Sequence, residues 1–147
     1  MPVRWIPAPD LHTRLVEFVE VLGFHHVRLD RVVCVRSYGA RTDAWARIWG
    51  LPRIFQEALG IGPAYVIEFL EPGFGRLPPD AQDRVILHEL LHIPQTFSGG
   101  LRPERSRHFT INRRTVERYY RRYLRLTGRG AAAAAPRGQK GAPGPQG

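Results

Sequence analysis

The chain has little cysteine, methionine or lysine. Cys34 is the only cysteine in 147 residues, which excludes an intrachain disulfide and a cysteine-built zinc cluster. It lies in the apolar run Arg31-Val32-Val33-Cys34-Val35-Arg36, where a free thiol is expected to serve as a small buried residue. Met1 is the only methionine and Lys140 the only lysine. The 22 Lys+Arg against 13 Asp+Glu give a formal net charge of +9, carried almost wholly by arginine. No apolar run approaches a membrane span, and Met1 to Asp10 lacks the apolar stretch of a signal peptide. A cytoplasmic protein with no membrane partner is expected. The hydrophobic content of 43% supports a real core, and the length suits one domain plus tails.

The chain divides into a domain over residues 1–127 and a tail over 128–147. The tail is rich in Ala, Gly and Pro and has no means of burying apolar area, so it is expected to be disordered. Asp10 caps a first helix that Gly23 ends, with Leu11, Leu15, Phe18, Val19 and Leu22 as its apolar stripe. Val32 to Arg36 and Ala64 to Leu70 have the β-branched and aromatic content of strands. Between them, Asp43 to Gln56 reads as a helical or irregular packing segment, broken near Gly50-Leu51-Pro52. Its aromatics Trp45, Trp49 and Phe55 are expected in the core. Pro72-Gly73-Phe74-Gly75 is a turn, Gln95 to His108 a polar loop and Thr110 to Thr127 a last helix.

His88-Glu89-Leu90-Leu91-His92 fits the pattern H-E-x-x-H. Residues four apart share a helix face, so His88 and His92 can present two imidazoles to one metal ion. Glu89 points about 100° round the helix, where its carboxylate can reach a water on the metal instead of the metal itself. Pro78-Pro79-Asp80 starts the helix, Asp83 adds negative charge near its first turn, and Pro94 stops it. The apolar neighbours Val85, Ile86, Leu87, Leu90, Leu91 and Ile93 place it in the core. The bland alternative is a buried helix whose two histidines are merely hydrogen-bonded.

A catalytic Zn2+ takes three protein ligands and leaves a fourth position for water. A metzincin would carry its third histidine six residues after the second, but that position is Ser98. It would also need a Met-turn, and Met1 is the only methionine. His108, Glu104 and Glu117 remain, with His108 the first choice because it follows a loop long enough to fold back over the motif helix. His12, His25 and His26 read as structural or surface residues. With zinc in place, Glu89 would serve as general base and the substrate would be a peptide or protein. Tyr119, Tyr120 and several arginines are candidate oxyanion donors.

The last helix carries a second signal. Arg114, Arg118, Arg121, Arg122 and Arg125 fall on one face, opposite Val116, Tyr119, Tyr120 and Tyr123. Such a stripe could neutralise nucleic-acid phosphates, or it could be a solvated face of an arginine-rich chain. The rival function is thus a basic nucleic-acid-binding protein with a structural or degenerate zinc site.

The block from His88 to Pro103 resembles the phage-type metallopeptidase family, small proteins related in outline to SprT-like zincins. Ala46 to Pro52 and Ala64 to Glu68 resemble its upstream segments. The resemblance implies an α+β, minimal zincin-like domain: a small sheet, the motif helix and a following basic helix. It implies His88 and His92 as ligands and Glu89 as the base. That family carries a histidine after its Arg-Pro pair, where this chain has Glu104, so His108 and Glu104 both stay open as the third ligand. The strand Ala64 to Leu70 is the expected edge for pairing with an extended peptide.

Overall fold

In the computed structural model, which describes residues 2–129, the first helix α1 (Pro9–Leu22) starts on a proline and ends at Gly23 with φ 71°. That left-handed backbone costs glycine nothing. Leu11, Leu15, Phe18, Val19 and Leu22 are all buried on one face, as the helical spacing predicts.

Four strands form one mixed sheet. They are β1 (Arg4–Pro7), β2 (Val32–Tyr38), β3 (Ala46–Gly50) and β4 (Tyr65–Glu71), in the spatial order β1-β2-β4-β3. β4 runs parallel to β2 and antiparallel to β3. The helices are α1, α2 (Arg53–Leu59), the short α3 (Gly73–Arg76), the motif helix α4 (Pro79–Leu90) and α5 (Arg113–Leu126). Tyr65, Ile67 and Phe69 of β4 join residues of α1, α4 and α5 in one core. A small α+β domain results, as the family resemblance implies.

Three expectations need correction. β4 is not an edge strand: it lies between β2 and β3, and β3 is the outer strand on that side. Tyr65, Ile67 and Phe69 of β4 are fully buried on its core face, and Glu68 and Leu70 are buried on the other. Second, Asp43 to Gln56 is neither helical nor irregular throughout. Ala46 to Gly50 pairs with β4, and the helix begins only at Arg53. Alternation of period two in Ala46-Arg47-Ile48-Trp49 sends Ala46 and Ile48 to the core and Arg47 and Trp49 to the other face. Third, Trp45, Trp49 and Phe55 are about half exposed, at 48%, 54% and 51%. Trp49 stands on the sheet face away from the core, and Phe55 sits on α2, none of whose side chains is buried. The Pro72–Gly75 turn closes into α3, with Phe74 buried beneath it.

On that outer face the centre is polar. Glu68 is 1% exposed. Its carboxylate accepts from Arg47 Nε at 2.7 Å, Trp49 Nε1 at 2.9 Å and Trp5 Nε1 at 2.9 Å. Trp49 and Trp5 are therefore oriented by a buried anion. Cys34 is buried, and burial pushes its thiol up to about 12. The expected disordered tail falls almost entirely in residues 130–147, outside the described residues. Arg129 is described, and its guanidinium donates to the Tyr123 hydroxyl at 2.6 Å.

Candidate metal centre

His88 lies on the last turn of α4. His92 follows on the tightened turn that continues the helix, its amide donating to the Glu89 carbonyl at 3.1 Å. The four-residue spacing brings the two imidazole centroids to 5.3 Å.

The third member arrives from the loop after α4, and the placement of that loop is tertiary. Tyr65, buried in β4, donates its hydroxyl to the Gly100 carbonyl at 2.7 Å and accepts the Gly99 amide at 2.8 Å. Gly99 has φ 99°, and a Cβ there would collide with the Leu51 carbonyl and the Gln56 side chain. The chain then returns over α4, where the Arg102 amide donates to the His92 carbonyl at 2.7 Å. A narrow hairpin follows. Arg105 bridges to Thr110, and the Ile111 amide donates to the Glu104 carbonyl at 2.7 Å. Glu104 is at the hairpin base, beside α4, and the exposed His108 is near its tip.

Glu104 Oε2 stands 3.1 Å from His88 Nε2 and 3.0 Å from His92 Nε2. These three side chains form a group of described residues whose ligand atoms all lie within 4.8 Å of one another. The His92 Nδ1–H donates to the Arg102 carbonyl at 2.6 Å, which turns Nε2 toward the Glu104 carboxylate. A ring nitrogen and a carboxylate oxygen at that distance can share a proton or both bind one metal ion. Ligand bonds of ~2.0–2.2 Å place neighbouring donors roughly 3 Å apart, so the donor set fits a metal. The Arg102 carbonyl also fixes ring orientation, the usual task of a group behind a ligating histidine. Burial pushes the Glu104 carboxyl up, but the two imidazoles outweigh it and the net shift is downward.

Glu89 is 8% exposed. Burial, with a smaller contribution from the Glu104 charge, pushes its carboxyl up to about 7. Glu89 and His88 border a cavity of roughly 340 Å³, also lined by Trp45, Arg84, Val85 and Arg113. Trp45 and Arg113 were not singled out from the sequence as cavity residues. The one available signal, an indole just before an edge strand, is too common to point to a site.

The remaining candidates fall elsewhere. His108 is outside the cluster because the Arg105–Thr110 bridge carries it outward. Glu117 is engaged by Arg84 at 2.8 Å. His12 Nε2 and His26 Nε2 lie 3.1 and 3.2 Å from the carbonyls of Leu29 and Ile93, in keeping with structural roles. Arg114, Arg118, Arg121, Arg122 and Arg125 are exposed on α5, while Val116, Tyr120 and Tyr123 are buried.

Fold and site together define a small α+β domain with a candidate His-His-Glu metal centre beside a cavity. A family model described as "Putative phage metallopeptidase" matches residues 3–134, and the chain belongs to that family. A metallopeptidase family implies a metal and protein or peptide substrates; it lends no support to nucleic-acid binding. Searches of curated proteins and of solved structures found no match. Among the described residues no helix is long and apolar enough to cross a membrane.

Proposed function

We propose that the chain is a zinc-dependent peptidase in which His88, His92 and Glu104 hold the metal and Glu89 is the general base. The observation that carries this reading is the convergence of two imidazole nitrogens and one carboxylate oxygen at about 3 Å, next to a buried carboxyl that is not part of the group. Two nitrogens and one oxygen suit zinc, and three protein ligands are the number a catalytic site uses. Zinc, when bound, supplies a Lewis acid that polarises a carbonyl and acidifies a water.

The chain's own residues do the rest. The Glu89 carboxylate takes the proton of the attacking water and delivers it to the departing amine. The Arg102 carbonyl keeps His92 oriented. β3, the outer strand beside α4, offers the backbone edge on which an extended peptide can pair.

The test is metal content and metal dependence. Mass-spectrometric metal analysis of the purified protein should find one zinc per chain, and a chelator should abolish cleavage of a mixed peptide library until zinc is restored. Cleavage that persists in metal-stripped protein would sink the reading.

A further inference from the structure

The cavity beside Glu89 narrows which side chain a substrate can present. Its apolar walls are Trp45, Val85 and Val116. The Trp45 ring rests on the backbone of Gly73, where an added Cβ would come 3.3 Å from it. Two arginines reach the same cavity, and they differ.

Arg84 is neutralised. Its Nε lies 2.8 Å from Glu117, another of its nitrogens lies 3.1 Å from Asp80, and its guanidinium sits 4.6 Å from the Tyr120 ring centroid. Arg113, the first residue of α5, is exposed and makes no ion pair among the described residues. The acid one turn along that would ordinarily pair with it is Glu117. That carboxylate is held by Arg84 and approaches Arg121 at 3.7 Å. The positive end of the α5 dipole adds to the Arg113 charge. An apolar cavity with one unpaired guanidinium suits a side chain with a short apolar stem and a carboxylate end. Leucine would fill the walls and leave Arg113 unpaired, and lysine would be repelled.

We propose that this cavity is a specificity subsite for a glutamate side chain next to the scissile bond, with Arg113 as its charge partner. The proposal rests on the peptidase reading, because His88 and Glu89 line the same cavity and so set a side chain lodged there beside the reacting carbonyl.

The experiment uses four peptides identical except for a single Glu, Gln, Leu or Lys. Cleavage by the zinc-loaded full chain is followed by mass spectrometry, and binding to its Glu89→Gln variant by fluorescence anisotropy. Glu should be favoured over Gln about tenfold in both readouts, as one charge-assisted contact warrants. The ratio should fall toward one in Arg113→Gln, survive in part in Arg113→Lys, and shrink with added salt. Because Arg113 is exposed, these variants should keep the helical circular-dichroism signal of the parent. A Glu/Gln ratio near one in the parent, a ratio that survives Arg113→Gln, or no binding of any of the four peptides overturns the subsite. Arg113-dependent Glu preference in binding without cleavage upholds the cavity as a glutamate-binding site and overturns the peptidase reading. Cleavage without that preference does the reverse.

Discussion

Two glutamates are buried in this small domain, and their surroundings drive them in opposite directions. Glu68 is 1% exposed on the outer face of the sheet, and Glu89 is 8% exposed on the motif helix. Burial pushes both carboxyls up. At Glu68 the donors Arg47, Trp49 and Trp5 outweigh burial and hold the group down at about 2. At Glu89 burial is the largest influence, the Glu104 charge adds to it, and the group rises to about 7. A carboxylate saturated with donors is inert and holds strands together. One left short of donors is ready to exchange a proton, and such groups cluster at functional sites.

The contrast can be broken most sharply at Glu89. Glu89→Gln should cut peptide hydrolysis by roughly 10²–10⁴-fold, the usual worth of a general base, while zinc content stays at the parent level. Steady-state kinetics together with metal analysis would show both, and parent-like turnover in the variant would remove Glu89 from the chemistry. Next comes Glu104→Ala, which removes a proposed ligand. Its loss of zinc affinity, read by competition with a chromophoric chelator, should exceed the ~10–100-fold that follows from losing a mere supporting partner.

Glu68→Gln should act on stability and leave zinc content unchanged. Losing a charged acceptor for three donors should cost on the order of 2 kcal/mol at neutral pH in urea denaturation. The pH dependence has a definite sign. The donors around Glu68 hold its carboxyl at about 2, well below the 4.5 of an ordinary glutamate, so its stabilising contribution is full above about 4.5. That contribution is lost as pH falls from there through about 2, and the Gln variant should lack this share of the acid sensitivity. The smallest effect belongs to His108→Ala. An exposed hairpin residue outside the cluster should change neither zinc affinity nor stability by more than ~0.5 kcal/mol. A large loss of zinc in that variant would return His108 to the ligand set.

Much of the architecture was legible locally. The stripe of α1, the cores of β2 and β4, the start of α4 and the amphipathic α5 each follow from spacing within a dozen residues. β3 was misread because Ala46 to Gly50 is short and ends on a glycine, and its strand state comes from pairing with β4. Trp45 and Trp49 were expected inside because large aromatics usually are. Which face of a sheet the helices cover is not a local property.

The same division runs through the candidate site. The four-residue spacing of His88 and His92 by itself determined that the two rings share a face, because the helical repeat is set by backbone hydrogen bonds between near neighbours. The choice of Glu104 over His108 as their companion was made only by the tertiary structure. It depends on Tyr65 gripping Gly99 and Gly100 from 34 and 35 residues away, and on the Arg105–Thr110 bridge that leaves Glu104 at the hairpin base. Contacts so distant along the chain leave no periodic trace in it, and loop length and ligand type by themselves favour the histidine.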